Sequence, residues 1–128
     1  MQTAGTAPSE DGLRRERFAE HTVITITGDL DISSAPSLRE RLDVALRDAG
    51  PHVVIDLSGV TFCDASGLAL LTGARRRAER EGASIVLAAP RPHMIRLLRV
   101  SGLSRMFAVR PSVDAARASG AGVRPAAA

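Results

Sequence analysis

Three short apolar runs rich in β-branched residues constrain this chain most: Thr22-Val23-Ile24-Thr25-Ile26-Thr27, Val53-Val54-Ile55-Asp56-Leu57 and Ser84-Ile85-Val86-Leu87-Ala88-Ala89. Each has the length and composition of a strand. Continuous apolar strands belong in a sheet buried on both faces, which is the habit of parallel sheets covered by helices. The segments after each run have helical period. Ser34 is placed to cap a first helix and Pro36 is tolerated in its first turn. Leu38, Leu42, Ala45 and Leu46 share one face, and Gly50-Pro51 stops it. Leu68 to Arg80 forms a second helix, with Leu70, Ala74 and Ala78 at a four-residue step and Gly82 at its end. Met94, Ile95, Leu97 and Leu98 give a short third helix closed by Ser101-Gly102.

At the margins, Leu13 to Glu20 is charge-rich and suits an edge strand, where charge discourages further pairing. Met106 to Val109 reads as a short strand, and Ser112 starts a brief last helix through Ala118. The order β, β, α, β, α, β, α, β, α predicts an α/β domain with a mostly parallel core and crossover helices. Gly28 to Asp31 reads as a loop. Ser58-Gly59 reads as a turn before a second apolar piece, Val60 to Cys63. The ordered domain is expected over 13–118, with disordered Gly-, Ala- and Pro-rich tails at 1–12 and 119–128.

Composition narrows the function classes. Hydrophobic residues make up 45% of the 128 residues but aromatics only 2%, so Val, Ile, Leu and Ala must build the core. With one Cys no intrachain disulfide forms, and Cys63 is expected to be a small buried hydrophobe. No apolar run approaches the length of a membrane span, and residues 1–12 lack a signal-peptide core, so a cytoplasmic setting is expected. All 17 basic residues are Arg, yet the net charge is only +3 and the Arg residues are interleaved with acids. Without aromatics for base stacking, direct nucleic-acid binding is not expected.

In open α/β sheets, sites gather beyond the carboxyl ends of the strands. Two segments reach that edge, Gly28–Asp31 and Asp64–Gly67, and they gather Asp29, Asp31, Asp64 and Ser66. At Asp64-Ala65-Ser66-Gly67 a strand, a turn and a helix start meet. Backbone N–H groups there lack intrahelical partners, so a phosphate on Ser66 would be well placed. Equally, Asp64 or Ser66 is a fitting helix cap.

Catalytic patterns are not met. Ser66 lacks a G-x-S-x-G elbow, and His21, His52 and His93 sit at strand or helix beginnings, away from it. Asp29, Asp31, Ser33, Ser37 and Glu40 follow the ligand spacing of a calcium loop, but Ser34 replaces the required Gly and a strand precedes it. Zinc-ligand spacing, a P-loop lysine and a G-x-G-x-x-G fingerprint are all missing. No cofactor or metal is expected, and the chain reads as a binding or switching module rather than an enzyme.

Three pieces together resemble the STAS domain, named for sulfate transporters and anti-sigma factor antagonists. They are Thr27-Gly28-Asp29-Leu30-Asp31, the stretch Val54 to Leu68 with Asp64-Ala65-Ser66-Gly67 at its centre, and Ile95 to Leu103 with Ser101-Gly102-Leu103 at its end. The resemblance runs from about Leu13 to Ala118. It implies a mixed, mostly parallel sheet of four to five strands with about four helices packed mainly on one face. It further implies a stand-alone, non-enzymatic switch, a monomer or weak dimer. The unphosphorylated form would bind an anti-sigma factor that is also a serine kinase with a Bergerat-type ATP fold, releasing the sigma factor. Phosphorylation at Ser66 would end that binding, and a PP2C-type phosphatase would restore it. Partner contacts would come from Asp29, Asp31, Asp64, Ala65, Ser66 and Gly67. Ala65 stands where many members have a second hydroxyl residue, and Asp29 where Glu is more usual. The alternative within the resemblance is an unphosphorylated scaffold subunit of a signalling or lipid-transport complex, with Ser66 a structural cap only.

Overall fold

A computed structural model describes residues 12–119; the expected tails fall almost entirely outside this range. The elements are β1 (Leu13–Arg17), β2 (Thr22–Leu30), α1 (Ala35–Leu46), β3 (His52–Cys63), α2 (Ala65–Arg80), β4 (Ser84–Ala88), α3 (Pro92–Ser101), a 3-10 turn (Leu103–Arg105), β5 (Ala108–Arg110) and α4 (Val113–Ser119). They form one five-stranded sheet in the order β1-β2-β3-β4-β5. β1 is antiparallel to β2, and the other neighbours are parallel. This is the α/β architecture expected from the apolar runs.

The main core lies between the sheet and α1, α2 and α3. Ile24, Ile55, Leu57 and Leu87 from the strands meet Leu42, Leu46, Leu71, Met94 and Leu98 from the helices, all fully or almost fully buried. Each such side chain contributes about 1.5–3 kcal/mol on burial. The opposite face is covered by α4, where Ala116 packs with Val23, Val54, Val86, Ala88 and Ala108. Charges on β1 serve packing as well as edge protection. Arg15 Nε donates to Ala45 O at 3.1 Å and Arg17 to Asp48 O at 2.8 Å, so guanidinium groups satisfy carbonyls at the C-terminal end of α1.

Four expectations need correction. Gly28 to Leu30 is not a loop but the end of β2. Ser58-Gly59 is not a turn between two pieces, because β3 runs unbroken from His52 to Cys63. The register explains both. Thr25 pairs with Asp56 but Thr27 with Gly59, and Gly28 pairs with Val60 but Asp29 with Phe62. At each shift β3 carries one extra residue, so turn-type residues are absorbed as bulges. Asp56 Oδ1 accepts from Ser58 N at 2.9 Å across the first shift, and a Cβ on Gly59 would lie 2.6 Å from Thr27 Cγ2. Ser34 occupies the cap position of α1, but its hydroxyl makes no cap bond. It donates instead to Asp29 O at 2.7 Å. The last strand starts at Ala108, because Phe107 turns into the core.

The amino ends of the strands are closed by His21 and His52, whose ring centroids lie 5.5 Å apart, and by α4, whose Arg117 stacks 3.8 Å over Phe18. Burial lowers the His21 pKa, His52 and Arg117 lower it further, and Glu20 opposes them. The folded protein therefore holds this proton less well than the unfolded chain, in which His titrates near about 6.5. The stability tied to neutral His21 is complete above that value and is lost as pH falls through it toward the depressed folded pKa. Urea midpoints measured between about pH 7.5 and pH 5 should fall in the wild type and fall less in His21→Gln.

Candidate functional site

The carboxyl ends of β2 and β3 carry the site, and one contact sets its geometry. The α2 helix begins directly on the sheet, with Asp64 N donating to Leu30 O at 3.1 Å. Gly67, in the first turn, is buried against the end of β2. A Cβ there would stand 2.6 Å from both Cβ and O of Leu30 and 2.7 Å from Cys63 Sγ. Only glycine permits this approach. Asp64 is the helix cap: its Oδ1 accepts from Ser66 N at 2.8 Å and Gly67 N at 3.3 Å. Of the two candidate caps, the carboxylate takes the role and the serine hydroxyl is left over.

Ser66 is the second residue of α2 and is half-buried, beside exposed Ala65. Its hydroxyl makes no hydrogen bond to any described residue. The picture of an open helix start is thereby corrected. The amides of Ser66 and Gly67 are already occupied by Asp64, so a phosphate on Ser66 would meet the helix dipole but also a neighbouring carboxylate.

Asp29 and Asp31 stand on the adjacent strand end. Asp29 is exposed on β2, and its Oδ1 accepts from Thr61 Oγ1 at 2.9 Å. Asp31 follows the strand, and its Oδ1 accepts from Ser33 N at 3.0 Å and Ser34 N at 2.9 Å. The Leu30–Cys63 register pair joins these two segments. The fold thus brings Asp29, Asp31, Asp64, Ala65 and Ser66 to one edge, with Gly67 buried beneath it. His21 directly precedes β2 and His52 begins β3, at the opposite ends of those strands from Ser66. Among the described residues no group of His, Cys, Asp and Glu is arranged to hold a metal ion. Cys63 is buried, and its thiol is pushed up to about 11, first by burial and then by Asp64. It is a packing residue, as its apolar setting suggested.

Two residues of this edge escaped the sequence reading. Ile32 is 74% exposed and Phe62 is 50% exposed. Phe62 lies in an apolar run, but the register shift turns it outward between buried Val60 and Cys63. The three-residue steps from Leu57 to Val60 to Cys63 were the available signal.

A family model described as "Mlab, STAS domain" matches residues 13–110. The chain belongs to the STAS-domain family. Within it, this STAS domain is 35% identical over 80 residues to the anti-sigma-B factor antagonist of Bacillus subtilis, covering 62% of this chain and 72% of that one. The crystal structure of an anti-sigma factor antagonist from Mycobacterium paratuberculosis superposes with a TM-score of 0.78 at 27% identity, over 89% of this chain and 97% of that one. The fold is also that of the anti-sigma factor antagonist SpoIIAA. Its unphosphorylated form matches with a TM-score of 0.69 at 23% identity, covering 87% and 99% of the two chains. The phosphorylated form of SpoIIAA, from Bacillus, matches with 0.64 at 24% identity, covering 84% and 97%. No helix among the described residues is long and apolar enough to cross a membrane.

The geometry separates the roles of the motif by stability. Asp64→Ala removes a cap and should cost about 1 kcal/mol. Gly67→Ala forces a Cβ into the Leu30 backbone and should cost about 1–3 kcal/mol despite the better helix propensity of Ala. Ser66→Ala, which loses no protein hydrogen bond, should stay within about 0.5 kcal/mol of wild type. Urea unfolding of the three variants measures these differences.

Proposed function

We propose that this STAS domain is an anti-sigma factor antagonist whose partner binding is controlled by phosphorylation of Ser66. The observation that carries the reading is the division of labour in Asp64-Ala65-Ser66-Gly67. Asp64 caps the helix and Gly67 seats it, leaving a hydroxyl with no structural bond at the rim of the sheet edge. The names of the relatives support it, as does the existence of SpoIIAA structures in both phosphorylated and unphosphorylated forms.

In this reading the unphosphorylated edge docks on an anti-sigma factor that is also a serine kinase with a Bergerat-type ATP fold. Exposed Ile32 and Phe62 supply apolar contact, and Asp29, Asp31 and Asp64 supply acceptors around them. Docking releases the sigma factor. The kinase transfers a phosphoryl group to Ser66 Oγ, and a PP2C-type phosphatase removes it. The chain itself catalyses nothing; it acts in the cytoplasm as a monomer or weak dimer, and nucleic acid is reached only through the sigma factor.

Phosphorylation adds about −1.5 to −2 charges at an edge already carrying three carboxylates. The phosphate cannot claim the Ser66 and Gly67 amides without displacing Asp64. The added charge therefore acts outward, against the partner. A penalty of about 2–3 kcal/mol weakens binding by about 30- to 150-fold. Incubation with the cognate kinase and ATP should add one phosphate, absent from Ser66→Ala. Titration calorimetry should show Ser66→Asp binding the anti-sigma factor about 30-fold or more weakly, with Ser66→Ala near wild type. Phosphate on another residue, or indifference of binding to Ser66→Asp, would overturn this reading in favour of a scaffold role.

A further inference from the structure

We propose that the groove between α1 and α2 is a second binding site, one that takes a phosphate-type oxyanion between Arg39 of α1 and Arg76 and Arg80 of α2. It is independent of the Ser66 edge. The groove has a volume of about 170 Å³ and is floored by Leu42, Leu70 and Ala74. Four arginines line it, Arg39, Arg76, Arg77 and Arg80, against a single acid, Asp43. That acid is already engaged, since Arg77 donates to Asp43 Oδ2 at 3.0 Å. The pair ties the two helices together and fixes one wall. Arg39, Arg76 and Arg80 have no side-chain hydrogen bond or ion pair among the described residues, unlike Arg75, which pairs with Glu79 at 3.2 Å.

Part of this pattern has an ordinary cause. Arg77 and Arg80 lie in the last turn of α2, where positive charge complements the helix dipole. That cause does not reach Arg39 on the other helix, nor Arg76. It does not explain Gly73 either. Gly73 is an exposed residue in the interior of α2, and a Cβ built on it meets nothing within 4 Å. No turn, close contact or left-handed backbone requires glycine there, and alanine is the better helix former. The space that a side chain would take is the groove itself. At about 30 Å³ per water in the liquid, the volume accommodates a phosphate group with some of its hydration. Guanidinium groups suit such an oxyanion because they present paired donors to it. The same chemistry is offered by a free phosphorylated compound and by a phosphorylated side chain of another protein.

The full chain should be titrated with inorganic pyrophosphate at about 150 mM NaCl, where diffuse surface attraction is screened. A second arm uses a phosphoserine peptide copied from residues 61–72. Amide chemical shifts and calorimetry give the readout. Saturable shifts centred on Gly73, Arg76 and Arg39 are expected. Arg76→Gln/Arg80→Gln should weaken binding by about tenfold or more, while Arg14→Gln on the outer strand leaves it unchanged. Gly73→Leu should abolish binding with the thermal transition retained. Tighter binding of pyrophosphate assigns the site to free phosphorylated compounds, and tighter binding of the peptide assigns it to a phosphorylated chain. Absence of saturable shifts, shifts centred elsewhere, or equal losses in the Arg14 variant would overturn the proposal.

Discussion

The close approach of the α2 helix start to the end of β2 is the contact on which the rest of this structure depends. A helix packed on a sheet through side chains alone stands well off the strands. Here the missing Cβ of Gly67 lets backbone meet backbone, and the Asp64 amide is bonded to Leu30 O. The contact fixes where α2 begins, hence which residue caps it and which hydroxyl is left free. It also draws the end of β2 out to Leu30, so that Asp29 and Asp31 arrive beside the helix start. Position, charge and exposure of the site follow from one glycine.

The two ends of the parallel strands serve different purposes. At the amino end, buried Thr22 donates to Ala49 O at 2.6 Å, His21 and His52 lie side by side, and α4 covers the sheet beside them. That end is closed and structural. At the carboxyl end, Asp31 and Asp64 turn their carboxylates onto local backbone amides, while Ile32 and Phe62 project into solvent. Local hydrogen bonds hold those two carboxylates in place, and the apolar residues remain exposed. Such a mixture of held charge and exposed apolar surface is what a reversible protein interface needs.

Much of this was legible in the sequence. Element type and order follow from β-branched runs alternating with helical periods, and the parallel core follows from that order. The acidic edge followed from the rule that sites lie beyond strand ends. What escaped were features set by strand pairing and by one competing local bond. Glycine and serine at 58 and 59 are strong local turn signals, but pairing with β2 absorbs them as a bulge. Ser34 is a good cap by type, yet Asp29 O and the Asp31 segment capture its hydroxyl. Phe62 lies in an apolar piece and is turned out by register. At 58–59 and at Phe62 the pairing with β2 overrides the local preference, and at Ser34 a neighbouring segment does.

The β3 strand shows how finely this arrangement is counted. Its core-facing residues are Val53, Ile55, Leu57, Val60 and Cys63, separated by two steps of two and then two steps of three. Each step of three holds one extra residue opposite β2, so the core-facing side chains of the two strands stay matched. The chain therefore works as a ruler from Val53 to Asp64, and its length cannot change by one residue without cost. A deletion at 58 would remove the first of these extra residues, and with it the bond from Ser58 N to Asp56 Oδ1, and would straighten β3 there. The spacing between the central strand and the hydroxyl should thus be far more constant than the residues that fill it.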